Sequence, residues 1–93
     1  MTASREMVVT NKVGLHARPA ANFVKCVAGF KSKIALENLD RGSTPVNAKS
    51  ILSVLGAGVQ KNHHIRLTAE GVDEAEAIDA LWTLILNNCG EAE

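Results

Sequence analysis

The chain has no surplus charge. Its ten basic and ten acidic side chains cancel, so charge alone gives it no hold on nucleic acid. Cysteine is scarce: Cys26 and Cys89 each fall inside an apolar helical pattern, not a spaced framework of turns, and are expected as buried thiols of a reducing compartment. No apolar run at the N-terminus reaches signal-peptide length, and none approaches the ~20 residues that span a bilayer, so a cytoplasmic protein without membrane insertion is expected. A glycine-rich P-loop, Cys/His metal spacing and paired carboxylates at catalytic spacing are all missing, so neither a cofactor nor a metal is expected. Repeats and Pro/Ser-rich linkers are missing too. The 93 residues are expected to form one small domain, residues 1–93, its compact part running from about Ser4 to Asn88. That size favours a monomeric carrier, binder or adaptor over an enzyme with a deep cavity.

What the chain does have is clear periodicity. Met7 to Val9 is a short apolar run bounded by Asn11 and Gly14, which predicts a strand near Arg5 to Thr10. Ala20, Phe23, Val24 and Val27 form one helical stripe that should stop at Gly29. Lys33 to Glu37 alternates polar and apolar as a half-buried strand, and Asn38 to Pro45 is turn chemistry leading to a short strand near Val46. Ala48 to Leu55 reads as a helix closed by Gly56 and Gly58, and His64 to Ala69 as a strand. Last, Asp73 and Glu76 form a D-x-x-E capping signature before Ile78, Leu81, Trp82, Ile85, Leu86 and Cys89, with Gly90 as the stop. Trp82 is expected in the core. The order βαββαβα predicts an α+β fold of two layers, with the helices on one face of a mainly antiparallel sheet and the other face solvated.

The stretch Gly14-Leu15-His16-Ala17-Arg18-Pro19-Ala20 places a histidine at the start of the first helix. With His16 as N-cap, the amides of Ala17 and Arg18 lie at the positive end of the helix dipole, and Pro19 sits where a missing N–H costs little. Such a place suits a phosphate-sized anion, and the Arg18 guanidinium can hold two of its oxygens. His16 could then act as a nucleophile whose phosphorylated product is stabilised by its own helix, since phosphoryl transfer asks mostly for positioning and charge neutralisation. The spacing alone leaves a second reading open, in which His16 merely caps a helix and Arg18 is a solvated surface charge.

The segments GLHARPA (Gly14 to Ala20), VNAKSIL (Val46 to Leu52) and AEGVDEAEAI (Ala69 to Ile78) carry a resemblance over nearly the whole chain. It resembles the HPr family, the histidine-containing phosphocarriers of the bacterial phosphoenolpyruvate-dependent sugar phosphotransferase system. The resemblance implies an open-faced β-sandwich, a four-stranded antiparallel sheet covered by three helices. It further implies that His16 accepts a phosphoryl group on Nδ1 from enzyme I and passes it to the enzyme IIA domains of sugar permeases. Arg18 resembles the family's active-site arginine, and the Ala17 and Arg18 amides its phosphate cradle. Ser50 resembles the serine modified by an HPr kinase/phosphorylase, although a serine at a helix start needs no kinase to explain it. Ala21, Ile51, Leu52 and Leu55 resemble the apolar docking patch; Ile51, Leu52 and Leu55 are too densely spaced for all to be buried.

Two departures from the usual pattern stand out. The turn Asn38 to Pro45 is a few residues longer, a difference not expected to reach His16, and Gly56-Ala57-Gly58 is small where the family often has bulkier residues. His63 and His64 are expected as ordinary strand residues on opposite faces, unable to chelate one ion together. Alternatives to a sugar phosphocarrier are a nitrogen-branch or purely regulatory relative, and a module that binds anions without covalent chemistry.

Overall fold

The computed structural model describes residues 2–10, 12–42, 44–87 and 89. Four strands, β1 (Ala3–Val8), β2 (Lys33–Asn38), β3 (Val46–Asn47) and β4 (His64–Glu70), form one antiparallel sheet in the order β1-β4-β2-β3. Three helices, α1 (Ala17–Ala28), α2 (Ile51–Gly56) and α3 (Glu74–Leu86), complete the βαββαβα order. The open-faced sandwich expected from the sequence is the fold observed.

Alternation on the central strand decides which face the helices cover. Ile65, Leu67 and Ala69 of β4 are buried beneath Phe23 and Val27 of α1 and Ala77, Leu81 and Ile85 of α3, all members of one core. The other face is polar: Arg66 sits opposite Glu6 of β1 and Glu37 of β2 and pairs with both carboxylates, at 2.9 and 3.2 Å.

Boundaries differ from expectation where hydrogen bonds override local pattern. β1 begins two residues before Arg5 because β4 continues to Glu70 and supplies partners back to Ala3. α2 starts at Ile51, not Ala48: the Ala48 amide still bonds Ile34 O of β2 at 2.9 Å, and the Lys49 amide closes a turn on Asn47 Oδ1. The expected Asp73/Glu76 capping box does not form. Asp73 is at the N-cap position, but its carboxylate accepts from the Lys31 and Ser32 amides at 2.8 and 2.9 Å and from Ser32 Oγ at 2.5 Å. These bonds, the Ser32 hydroxyl foremost, hold the Asp73 carboxyl below the ordinary carboxylate range. Glu74 instead reaches back to the Gly71 amide at 3.2 Å.

At the other end of α3, Leu86 is exposed and the helix ends there, with Asn87 as its cap. The expected stop at Gly90, and the end of the compact unit at Asn88, fall outside the described residues. Trp82 is half-buried, not core, and its ring lies 3.9 Å from the Arg5 guanidinium carbon in a cation–π contact. Both cysteines remain thiols. Cys89 is fully buried, but Cys26 is only half-buried, and that partial burial pushes its thiol up. Among the described residues, no helix is long and apolar enough to cross a membrane.

Candidate functional site

His16 is the N-cap of α1, in extended backbone (φ −138°, ψ 157°), its ring making no capping bond to the helix. The side chain is exposed, as are Ala17, Arg18 and Ala21, while Pro19 is buried behind them. The first turn-closing bond, Ala20 N to His16 O, is long at 3.5 Å, and the Ala17 and Arg18 amides come before it at the positive end of the helix. Ala17 has φ +51°, in the left-handed region that alanine rarely adopts. The chain turns into the helix through this one residue.

The approach to His16 is pinned from a distance. Gly14 (φ +62°) lies so close to Val59 O and the Gln60 backbone that a Cβ would collide with them. The amide of the buried Leu15 then bonds Val59 O at 3.0 Å. The loop between α2 and β4 therefore sets the height of the histidine above the helix. Together the two loops and α2 enclose a shallow depression of about 480 Å³, lined by Val13, Leu15, His16, Leu55, Gly58, Val59 and Gln60.

Ile51 and Leu52 of α2 are exposed, Leu52 strongly at 78%, while Leu55 is half-buried and faces the depression. Ser50 is the N-cap of α2, its hydroxyl accepting from the Ser53 amide at 3.3 Å. His16, Leu55 and Gly58 thus share one wall, with Ile51 and Leu52 exposed on the same short helix as Leu55.

His63 is predicted from the sequence as an ordinary surface residue of the strand. It is not on the strand but in the turn before β4, half-buried, and its Nδ1 accepts from the Gln60 amide (3.1 Å) and Asn38 Nδ2 (3.1 Å). Both donors need a lone pair there, which places a neutral ring's proton on Nε2. Asn38, fully buried, also donates to Ala57 O at 3.0 Å. A buried asparagine at a strand end was the available signal, since a core amide must find partners.

His64, by contrast, is an exposed strand residue whose amide and Nδ1 bond Asp40 Oδ2 at 2.6 and 3.0 Å. That backbone amide is the main reason the Asp40 carboxyl is held low. Charge is sorted along the chain: residues 7–36 and 41–69 contain no Asp or Glu, and these two stretches supply α1, α2 and the lining of the depression.

An open-faced βαββαβα sandwich that presents a histidine at an exposed helix start is the architecture of the histidine phosphocarriers, and comparison with known proteins agrees. The family profile described as the PTS HPr component phosphorylation site matches residues 3–87. The chain is 46% identical over 83 residues to the multiphosphoryl transfer protein of Haemophilus influenzae, covering 89% of this chain and 17% of that protein. It is 37% identical over 89 residues to the phosphocarrier protein HPr of Cupriavidus necator, covering 96% and 97% of the two chains. The solved structure of HPr-C-His from Thermoanaerobacter tengcongensis superposes with a TM-score of 0.90 at 43% identity, over 98% of this chain and 99% of that one. The chain spans about a fifth of the length of the multiphosphoryl transfer proteins it matches. It belongs to the HPr family, the phosphocarriers of the phosphotransferase system.

Proposed function

We propose that His16 is the phosphoryl acceptor of a cytoplasmic carrier that is charged by phospho-enzyme I and discharged to enzyme IIA domains. The observation that carries this reading is the exposed His16 at the N-cap of α1, directly before the Ala17 and Arg18 amides at the positive end of the helix. The Nδ1 lone pair forms the new P–N bond while the donor leaves with the electron pair of its own bond to phosphorus, and Nε2 keeps its proton. Arg18 and the first-turn amides neutralise the added charge. The protein needs no further acid or base, because positioning and electrostatics carry most of such a transfer.

Ala21, Ile51, Leu52 and Leu55 then form the apolar contact for both partners, and a phosphate on Ser50, placed by an HPr kinase/phosphorylase, regulates docking. Added there it would bring up to two negative charges beside the exposed Ile51 and Leu52 and repel an acidic partner surface.

Incubation with phosphoenolpyruvate and enzyme I is expected to give an acid-labile phosphoryl adduct, which His16→Ala abolishes and Arg18→Ala slows by about 10-fold or more. No adduct on the wild-type chain would overturn the assignment. Ser50→Asp is expected to lower the charging rate with the fold intact; charging at the wild-type rate would remove the regulatory role.

A further inference from the structure

The two sequence departures, the long turn and the small Gly56-Ala57-Gly58 segment, meet in space. Residues Leu39–Arg41 of the turn form a 3-10 helix, closed by Gly42 N to Leu39 O at 3.3 Å. Asn38 anchors its start to Ala57 O, and Asp40 anchors its middle to the His64 amide. Held this way, Arg41 lays its guanidinium over Gly58, so close that a Cβ at 58 would collide with Nη1. Gly58, at φ +63°, is itself a wall of the His16 depression. The turn expected to stay clear of His16 therefore places a cation against Gly58, a residue that lines the depression.

Among the described residues, that cation has no carboxylate of its own. Arg5 pairs with Asp79, and Arg66 with Glu6 and Glu37, whereas Arg41 is exposed and its guanidinium makes no ion pair or hydrogen bond among the described residues. Its chain neighbour Asp40 is turned toward His64. The acid-free stretch 41–69 supplies no alternative.

We propose that Arg41 is a docking arginine, which pairs with a carboxylate on the phosphoryl-donor protein and sets its orientation over His16. The proposal rests on His16 being the acceptor. A partner carboxylate is the occupant the charge pattern fits: Arg41 is exposed, its guanidinium packs on Gly58, and no carboxylate among the described residues compensates it.

The test compares wild type, Arg41→Ala, Arg41→Lys and Arg41→Glu as substrates of enzyme I charged by phosphoenolpyruvate, with KM and kcat measured at low and high salt. Arg41→Ala is expected to raise KM by about two- to five-fold with kcat unchanged, Arg41→Glu to raise it further, and Arg41→Lys to recover part of the loss. The differences should shrink at high salt. An unchanged KM in a wild-type chain that charges normally overturns the role of Arg41 alone, while a wild-type chain that does not charge overturns the assignment of His16. A lowered kcat at constant KM would place Arg41 on the transferring phosphoryl group and also overturn the proposal. Arg41 is exposed, so matching circular dichroism and Tm across the four chains checks that the fold is intact.

Discussion

At the scale of the single residue, His16 depends on backbone that few residues can adopt. Gly14 accepts φ +62° and a contact with Val59 O that no side chain could share, and two residues after Leu15 the chain turns through Ala17 at φ +51°. Gly14→Ala is expected to cost about 1–3 kcal/mol in urea unfolding, because it adds both strain and a collision. It should also slow charging of His16, since the loop holding the ring must shift. An unchanged urea midpoint would mean that the Gly14 contact is dispensable. The glycine was visible in the motif, but its reason was not. Its partners, Val59 and Gln60, lie about half the chain away, and no local pattern reports such a contact.

At the scale of the element, the start of α3 is tied down by the Asp73 side chain. A carboxylate three residues before a glutamate looks like a helix cap, yet Asp73 spends both oxygens on the turn between α1 and β2. Because its folded value is lowered, Asp73 adds stability above the unfolded carboxyl value of ~3.9 and loses it as pH falls through the folded value. Asp73→Asn is expected to lower Tm at neutral pH, and the gap to wild type to narrow as pH falls below the ordinary carboxylate range and Asp73 takes up its proton. A Tm gap of constant size across that range would mean that the charge on Asp73 contributes nothing. The order of elements was legible because apolar periodicity reports which face is buried. The ends of α2 and α3 were not, because the Ala48 bond to Ile34 and the Asp73 bonds to Ser32 are tertiary.

At the scale of the whole molecule, the sheet serves to bring three loops together. The approach to α1 and the loop after α2 enclose the depression, and the turn after β2 reaches Gly58 in its lining, although Leu15, Arg41 and Val59 are spread over about half the sequence. The motif around His16 could be read in a single pass. The depression, the His63 bond to Asn38 and the Arg41 contact with Gly58 could not, because each joins segments far apart in the chain. Three histidines now compete for one role, and the geometry separates them: His63 has its Nδ1 occupied, His64 leans on Asp40, and His16 alone stands at a helix start. The most direct measurement is a nitrogen-15 and phosphorus-31 NMR spectrum of the protein charged by phosphoenolpyruvate and enzyme I. A single P–N coupling, to Nδ1 of His16, is expected; coupling to His63 or His64, or a spectrum with no P–N bond, would rule out His16 as the acceptor.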